Sequence, residues 1–280
     1  MVQERVMIVG LGEVGLPLFE LLKECNSFQV YGFDIDKARM SSISQKTMPD
    51  KVDILHICIP CINRDKFVSS VENYVNQFEP KLVIINSTVS LGATQEIRKR
   101  CNCLVAHSPV RGIHRNFGRM KQDLKLWTKY VGGVDEESGE AARKHLERAK
   151  FKTRILKGCG ETELAKLFET TYRAWMIACF QEMHRISRQF ETDFNDVVDF
   201  LEDTHRGRFD RPVMFPGVIG GHCLIPNAEL LLKSYDSEFI RLIFKSNEMR
   251  KKEIRDQHVM KEVEEVKKRV KTLNEELQRR

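Results

Sequence analysis

The stretch Arg5-Val-Met-Ile-Val-Gly-Leu-Gly-Glu-Val-Gly-Leu-Pro17 decides how the rest of the chain is read. Its apolar run, residues 6–9, reads as a buried strand that passes directly into Gly10-x-Gly12-x-x-Gly15. Gly10 permits the tight turn, Gly12 lets the backbone approach a pyrophosphate, and Gly15 lets the following helix lie close to the strand. That helix directs its unpaired N–H groups and positive dipole end at the phosphates. Gln29-Val-Tyr-Gly-Phe33 makes a second strand ending at Asp34, 19 residues after Gly15, near the spacing of a carboxylate that accepts ribose hydroxyls. A carboxylate there repels the extra phosphate of NADP, so NAD is the expected cofactor. Gly10, Gly12, Glu13, Val14, Gly15 and Asp34 are its candidate ligands, joined by Pro60, Ser87 and Thr88 from later strand ends.

At 280 residues the chain can hold one large domain or two modest ones, and 41% hydrophobic with 31% charged residues is ordinary for a soluble globular protein. No apolar run reaches bilayer-spanning length, and residues 1–5 lead straight into the first strand, so neither membrane insertion nor a signal peptide is expected and a cytoplasmic location is. The net charge of +6 comes from Lys and Arg interspersed with Asp and Glu, which gives no single-sign patch for nucleic acid. The eight cysteines read as reduced thiols. Cys58-x-x-Cys61 and Cys101-x-Cys103 lack matching Cys/His pairs at finger spacing, so no metal is expected.

Strand and helix patterns alternate onward. Strands are expected at 52–60, 81–86, 103–107 and 128–131, and helices at 65–78, 93–101 and 136–150. This is the rhythm of an α/β, Rossmann-type doubly wound parallel sheet, in which ligands gather beyond the carboxyl ends of the strands. Asp34, Pro60, Thr88 and Ser108 stand at such ends and should ring one crevice. The character changes near Lys157-Gly-Cys-Gly160. Residues 161–190 hold no breaker and read as the long central helix of an all-helical domain, followed by a short helix at 196–201 and a Pro- and Gly-rich loop at 206–227. A helical tail follows from 228. Val259, Val263, Val266, Val270, Leu273 and Leu277 alternate by four and three, a heptad seam that either pairs between chains as a coiled coil or packs on its own chain. The expected domains are 1–156, a cofactor-binding domain; 157–250, a helical dimerisation and catalytic domain; and 251–280, a charged heptad helix.

Gly10-Leu-Gly-Glu-Val-Gly-Leu-Pro-Leu18, Asn86-Ser-Thr-Val89, His107-Ser-Pro109, Glu163-Leu-Ala-Lys166 and Pro216-Gly-Val-Ile-Gly-Gly-His-Cys223 together resemble the nucleotide-sugar 6-dehydrogenases. The Gly-Gly-His-Cys form is most similar to members that oxidise UDP-N-acetylhexosamines. The resemblance implies a double oxidation of a sugar's primary alcohol with two molecules of NAD. By motif, Cys223 matches the nucleophile that captures the aldehyde, Lys166 the helix lysine that steadies the developing oxyanion, and Thr88 the hydroxyl near the nicotinamide and the reacting water. It also implies a homodimer formed through the long helix.

The chain departs from the family pattern at telling places. Ser108-Pro109-Val110-Arg111 has valine where the family has glutamate, Thr170 replaces an asparagine, and Asn227 replaces an aspartate. Neither Val110 nor Asn227 can accept a proton at neutral pH, and both losses bear on thioester hydrolysis. The family's second α/β domain, which grips the nucleotide, is expected to be absent, so a partner chain would have to supply that surface. The expected function is NAD-dependent oxidation of a CH–OH group of a small, sugar-like substrate through Cys223 and Lys166. Two alternatives stay open. Gly158-Cys-Gly160 followed by Lys166 partly resembles the β-hydroxyacid dehydrogenases, and an NAD-bound scaffold or regulator would need no catalysis.

Overall fold

The computed structural model describes residues 3–45, 47–112, 116–221 and 223–278. It divides into two compact units, Met1–Leu167 and Phe168–Arg280. In the first unit the elements run β1 (Glu4–Val9), α1 (Gly15–Glu24), β2 (Phe28–Phe33), α2 (Lys37–Ser41), β3 (Ile54–Ile57), α3 (Arg64–Phe78), β4 (Leu82–Ile85), α4 (Ala93–Arg100), β5 (Leu104–His107), α5 (Phe117–Leu126), β6 (Lys129–Gly133), α6 (Glu136–Arg148), β7 (Thr153–Ile155) and the start of α7 (Cys159–Gln189).

The strands form one seven-stranded sheet in the order β2-β1-β3-β4-β5-β6-β7. Successive side chains of a strand point to opposite faces, and β1 divides accordingly. Val6 and Ile8 pack with Leu18 and Leu22 of α1, Met120 and Leu124 of α5, and Leu146 of α6. Met7 and Val9 pack on the other face with Val68 and Val71 of α3 and Ile97 of α4. Helices therefore cover both faces, which makes the unit a Rossmann-type doubly wound α/β fold. The strands β1 to β5 are mutually parallel. At the far edge the expectation of a wholly parallel sheet needs correction, because β6 runs antiparallel to β5 and β7 follows β6 in parallel. The chain leaves β5 and re-enters the sheet from the edge it left; the Arg111 guanidinium donates to the Thr128 carbonyl across that exit and entry at 2.8 Å.

Three elements escaped the sequence reading. The five-residue α2, the three-residue β7 and α5 carry weak apolar periodicity, and α5 starts at an Asn116 side chain that accepts the Arg119 N–H. In the second unit α7 continues into α8 (Phe194–Arg208), α9 (Leu224–Ser234), α10 (Glu238–Glu253) and α11 (Gln257–Gln278). The helix expected at 196–201 is longer at both ends. Asp193 caps its start, and Phe209 in the left-handed region stops it, a role that composition alone does not reveal. The loop is correspondingly shorter than 206–227, since α9 begins before Pro226. A proline is tolerated in a first turn, where its missing N–H would have had no intrahelical partner.

The heptad stripe is buried within its own chain. Val266, Val270 and Leu273 pack with Phe180 of α7, Phe194 and Val198 of α8, and Val213. Polar contacts reinforce the docking: Glu262 accepts a hydrogen bond from His184 Nε2 and pairs with Arg188, and Arg269 pairs with Asp199 and Glu202. Of the two arrangements open to the seam, intramolecular packing is the one formed. Leu273→Ala should cost the second unit about 2 kcal/mol or more, read as a lower urea midpoint; an unchanged midpoint would mean that α11 is not docked. Among the described residues no helix is long and apolar enough to cross a membrane.

Candidate functional site

At the end of β1, Gly10 has φ +91° and its N–H donates to the Phe33 carbonyl at the end of β2. A Cβ on Gly15 would lie 1.7 Å from the Gly10 carbonyl oxygen, so no side chain is tolerated there. The turn thus folds back on itself, α1 begins at Gly15, and Gly12, Glu13 and Val14 form the bend ahead of the helix N-terminus. A Cβ on Gly12 would meet only the Arg39 guanidinium, at 3.4 Å, so one face of the bend is free of backbone.

Asp34 fastens this turn. Its carboxylate accepts the Leu11 N–H at 2.7 Å and the Asp36 N–H at 2.9 Å, with Arg39 at 3.4 Å. Burial by itself would raise the Asp34 carboxyl, but the two N–H groups and the Arg39 charge outweigh it and hold it below the usual carboxylate range. The candidates Gly10, Gly12, Glu13, Val14, Gly15 and Asp34 are brought together, and these residues fit a dinucleotide: a glycine bend at a helix N-terminus beside an ionised carboxylate.

Pro60, Ser87 and Thr88 follow β3 and β4 at the same edge of the sheet. The Ser87 hydroxyl donates to the Ile59 carbonyl at 2.6 Å, which ties the segment holding Pro60 to the one holding Thr88. The Ser87 carbonyl accepts from His107 Nε2 at 3.0 Å, which fixes the tautomer, so Nδ1 accepts from the Thr162 hydroxyl at 2.8 Å. Burial pushes His107 down to about 3 despite the bond to Ser87, so it is neutral in this role. Beyond Thr88, α4 starts at a glycine that has no side chain to cap it. Glu163 of α7 supplies the cap: its carboxylate accepts the Gly92 N–H at 2.7 Å, the Thr94 N–H at 2.9 Å and the Thr94 hydroxyl at 2.7 Å. The loop bearing Thr88 is therefore pinned at both ends. Lys166 follows Glu163 by one helical turn and is almost fully buried.

Val110 points its side chain into the apolar cluster that holds Met120 and Leu124. The place where the family resemblance sets a carboxylate is thus part of the core.

In the second unit Cys223 is the half-buried residue at the N-cap of α9. The first-turn N–H groups of a helix favour an anion, which suits a thiolate nucleophile. The loop before it is held by two buried amides. Asn247 of α10 accepts the Ile219 N–H at 2.7 Å and donates to the Ile219 carbonyl at 3.2 Å, and Gln181 of α7 donates to the Gly217 carbonyl at 2.7 Å. The neighbouring His222 lies outside the described residues. One turn into α9, the Asn227 amide donates to the Thr170 hydroxyl at 3.1 Å. The two substituted positions touch each other, so the asparagine–aspartate pair of the family pattern, with its one ionisable member, is here a neutral, hydrogen-bonded pair.

Cys223, Asn227 and Thr170 are thus gathered in one unit, whereas Thr88, Lys166 and the glycine turn belong to the other. The sequence reading missed Glu163 as a clamp, along with Arg39, His107, Lys129, Gln181 and Asn247. Apart from Arg39, which meets Asp34 five residues before it, each acts through a contact between residues far apart in the chain, and no local spacing announces such a contact. Among the described residues no group of three or more His, Cys, Asp or Glu is placed to hold a metal ion.

Residues 160–249 match the model of the UDP-glucose/GDP-mannose dehydrogenase family, central domain. The UDP-N-acetyl-D-mannosamine dehydrogenase of Methanocaldococcus jannaschii is 28% identical over 85% of this chain, which spans 64% of that relative's length. Among solved structures, the UDP-D-ManNAc dehydrogenase of Pyrococcus horikoshii superposes with a TM-score of 0.73 at 22% identity, over 87% of this chain and 68% of that one. The fold is also that of Mycobacterium tuberculosis 3-hydroxyisobutyrate dehydrogenase, with a TM-score of 0.66 at 17% identity over 91% and 95% of the two chains. The family match begins at the head of α7, where Glu163 and Lys166 stand, and runs past the Cys223 loop to the Asn247 that holds it. Residues 160–249 are thus similar to the central domain of that family, and the sequence relatives that extend over most of the chain are nucleotide-sugar dehydrogenases.

Proposed function

We propose that the chain is an NAD-dependent oxidoreductase acting on the CH–OH group of a sugar-like substrate, a nucleotide sugar of the kind named for its relatives. The observation that carries the reading is the glycine turn: Gly15 packs so tightly on Gly10 that the bend and the helix N-terminus are built in advance for a pyrophosphate. Gly10, Gly12, Glu13, Val14, Gly15 and Asp34 would hold the cofactor, with Pro60, Ser87 and Thr88 along the strand ends. Bound NAD supplies the hydride acceptor.

The chain's own groups then have distinct tasks. The Cys223 thiolate adds to the aldehyde carbon, and the carbonyl oxygen becomes an alkoxide steadied by the Lys166 ammonium. The Thr88 hydroxyl orients the reacting water. The Thr170–Asn227 pair supports an oxidation that stops at the aldehyde or makes acid slowly, because neither side chain takes a proton from water at neutral pH. The same pair, with Val110 in the core, favours a second reading, an NAD-bound scaffold or regulator. Phe168, Tyr172 and Ile186 of α7, with Phe190 just past its end, expose large apolar surface, which supports a homodimer formed there. On this reading a partner chain supplies further nucleotide-binding surface, residues 157–250 form the dimerisation and catalytic domain, and residues 251–280 form its charged helix.

The test follows NADH absorbance across nucleotide sugars and hydroxy acids, with the product assigned as aldehyde or acid. Cys223→Ala should lower acid formation at least about a thousandfold while leaving NADH binding within about twofold. Acid formation that survives the change rejects the cysteine mechanism, and oxidation of a hydroxy acid that is indifferent to it favours β-hydroxyacid-type chemistry. NADH binding without turnover on any substrate favours the scaffold.

A further inference from the structure

Lys129, the first residue of β6, is 4% exposed. Its ammonium donates to the Ser108 carbonyl at 2.6 Å and to Asn86 Oδ1 at 3.2 Å. Asn86 ends the β4 segment and immediately precedes Ser87 and Thr88, while Ser108 ends β5 and begins the segment leading to Val110 and Arg111. One buried cation therefore joins two neighbouring strand ends at the edge where the cofactor candidates lie. The backbone between them is stitched in step, since the Ser108 N–H donates to the Ile85 carbonyl and the Val110 N–H to the Asn86 carbonyl.

A directional relay extends inward from this cation. With Asn86 Oδ1 facing the ammonium, its Nδ2 donates to His56 Nδ1 at 3.0 Å, which leaves the proton of His56 on Nε2. That nitrogen donates to His145 Nε2 at 2.9 Å. His145 Nδ1 then carries a proton that meets no acceptor among the described residues. The chain of donors has a single sense, set at its outer end by Lys129, and both histidines are held neutral by burial. A buried ammonium is costly unless its two bonds do something.

We propose that Lys129 is a positioning residue of the strand-end crevice, its buried ammonium holding segments 86–88 and 108–111 in the register that a bound dinucleotide requires. The proposal rests on the reading of that crevice as a cofactor site. The groups that face Lys129 are the Cys58 thiol beyond β3, His56 of β3, His107 of β5, Arg111 and Lys166 of α7. Burial keeps the thiol and the histidines uncharged, and the remaining neighbours are cations. Burial first, and then repulsion from Arg111 and Lys166, lower Lys129 to about 7. The clamp thus weakens as the proton is lost across neutral pH, when the charge-assisted bonds to Ser108 and Asn86 become ordinary ones.

The test is NADH affinity of the full chain, followed by nicotinamide fluorescence from pH 6 to 8.5, for wild type and Lys129→Met. Wild-type affinity should fall about tenfold or more as pH rises through about 7. Lys129→Met should be at least about tenfold weaker at pH 6 and independent of pH, with a lowered melting temperature because the Ser108 carbonyl and Asn86 Oδ1 lose their donor. Hydrogen exchange without ligand should show the Ser108 and Val110 amides losing about tenfold of their protection in the variant, while those of β1 keep theirs. A wild-type chain whose NADH affinity is flat with pH overturns the inference without any variant. So does a variant that binds NADH as wild type does, and in both cases the cofactor reading stands. Wild type that binds no NADH at any pH overturns the cofactor reading and the inference together.

Discussion

Gly15→Ala is expected to abolish NADH binding and to cost more than about 3 kcal/mol of stability, well beyond an ordinary surface change. The added methyl would stand 1.7 Å from the Gly10 carbonyl oxygen and 3.1 Å from the Cys58 Cβ, so it displaces backbone rather than a flexible side chain. The loss reaches the cofactor turn because β1, the bend and α1 are one continuous backbone, and moving the helix start spoils the aim of its N–H groups. Urea denaturation and a fluorescence titration with NADH measure the two effects. Wild-type affinity in a folded Gly15→Ala chain would refute the pyrophosphate role of the turn. Gly12→Ala supplies the contrast, since its methyl approaches only Arg39, and it should fold normally yet bind NADH more weakly.

Glu163→Ala is expected to cost about 3 kcal/mol or more and to loosen the Thr88 loop. Its carboxylate, 1% exposed, is the acceptor for two backbone N–H groups and one hydroxyl at the start of α4. Removing it leaves two buried Thr94 donors and the part-buried Gly92 N–H without their acceptor, and strips a negative charge from a helix N-terminus, where it is favourable. Glu163→Gln keeps the shape but turns an NH2 toward a donor, so it should recover less than half of the loss. Chemical denaturation reads the cost, and hydrogen exchange at Gly92 and Thr94 reads the loop. A penalty below about 1 kcal/mol would show that water satisfies those donors as well as Glu163 does.

The legible parts of this chain are those in which function and conformation share one local pattern. The glycine turn is one, because its spacing is itself the geometry, and a Cβ at Gly15 confirms it to within a bond length of the Gly10 oxygen. The strands β1 and β4 were equally plain, as runs of four apolar residues feeding both faces of the sheet. The reversal of β6 was not legible, since a strand's direction depends on the edge from which the chain re-enters and not on its composition. The heptad stripe showed the same limit. Its period announced a helix with one apolar side, but only Phe180, Phe194 and Val198 reveal that the side is covered by its own chain.

The order of elements and the glycine turn with Asp34 follow from residues near one another in the chain, where spacing alone constrains the backbone, whereas Cys223, Lys166 and Thr88 became candidates through the family resemblance. Clamps are different in kind. Glu163 on Gly92, Lys129 on Ser108, Asn247 on Ile219 and Asn227 on Thr170 join residues 21 to 71 positions apart, and a polar side chain becomes a clamp only once folding has removed water from around it. Burial turns these common residue types into determinants of the site, and burial is a property of the packed chain rather than of any stretch within it.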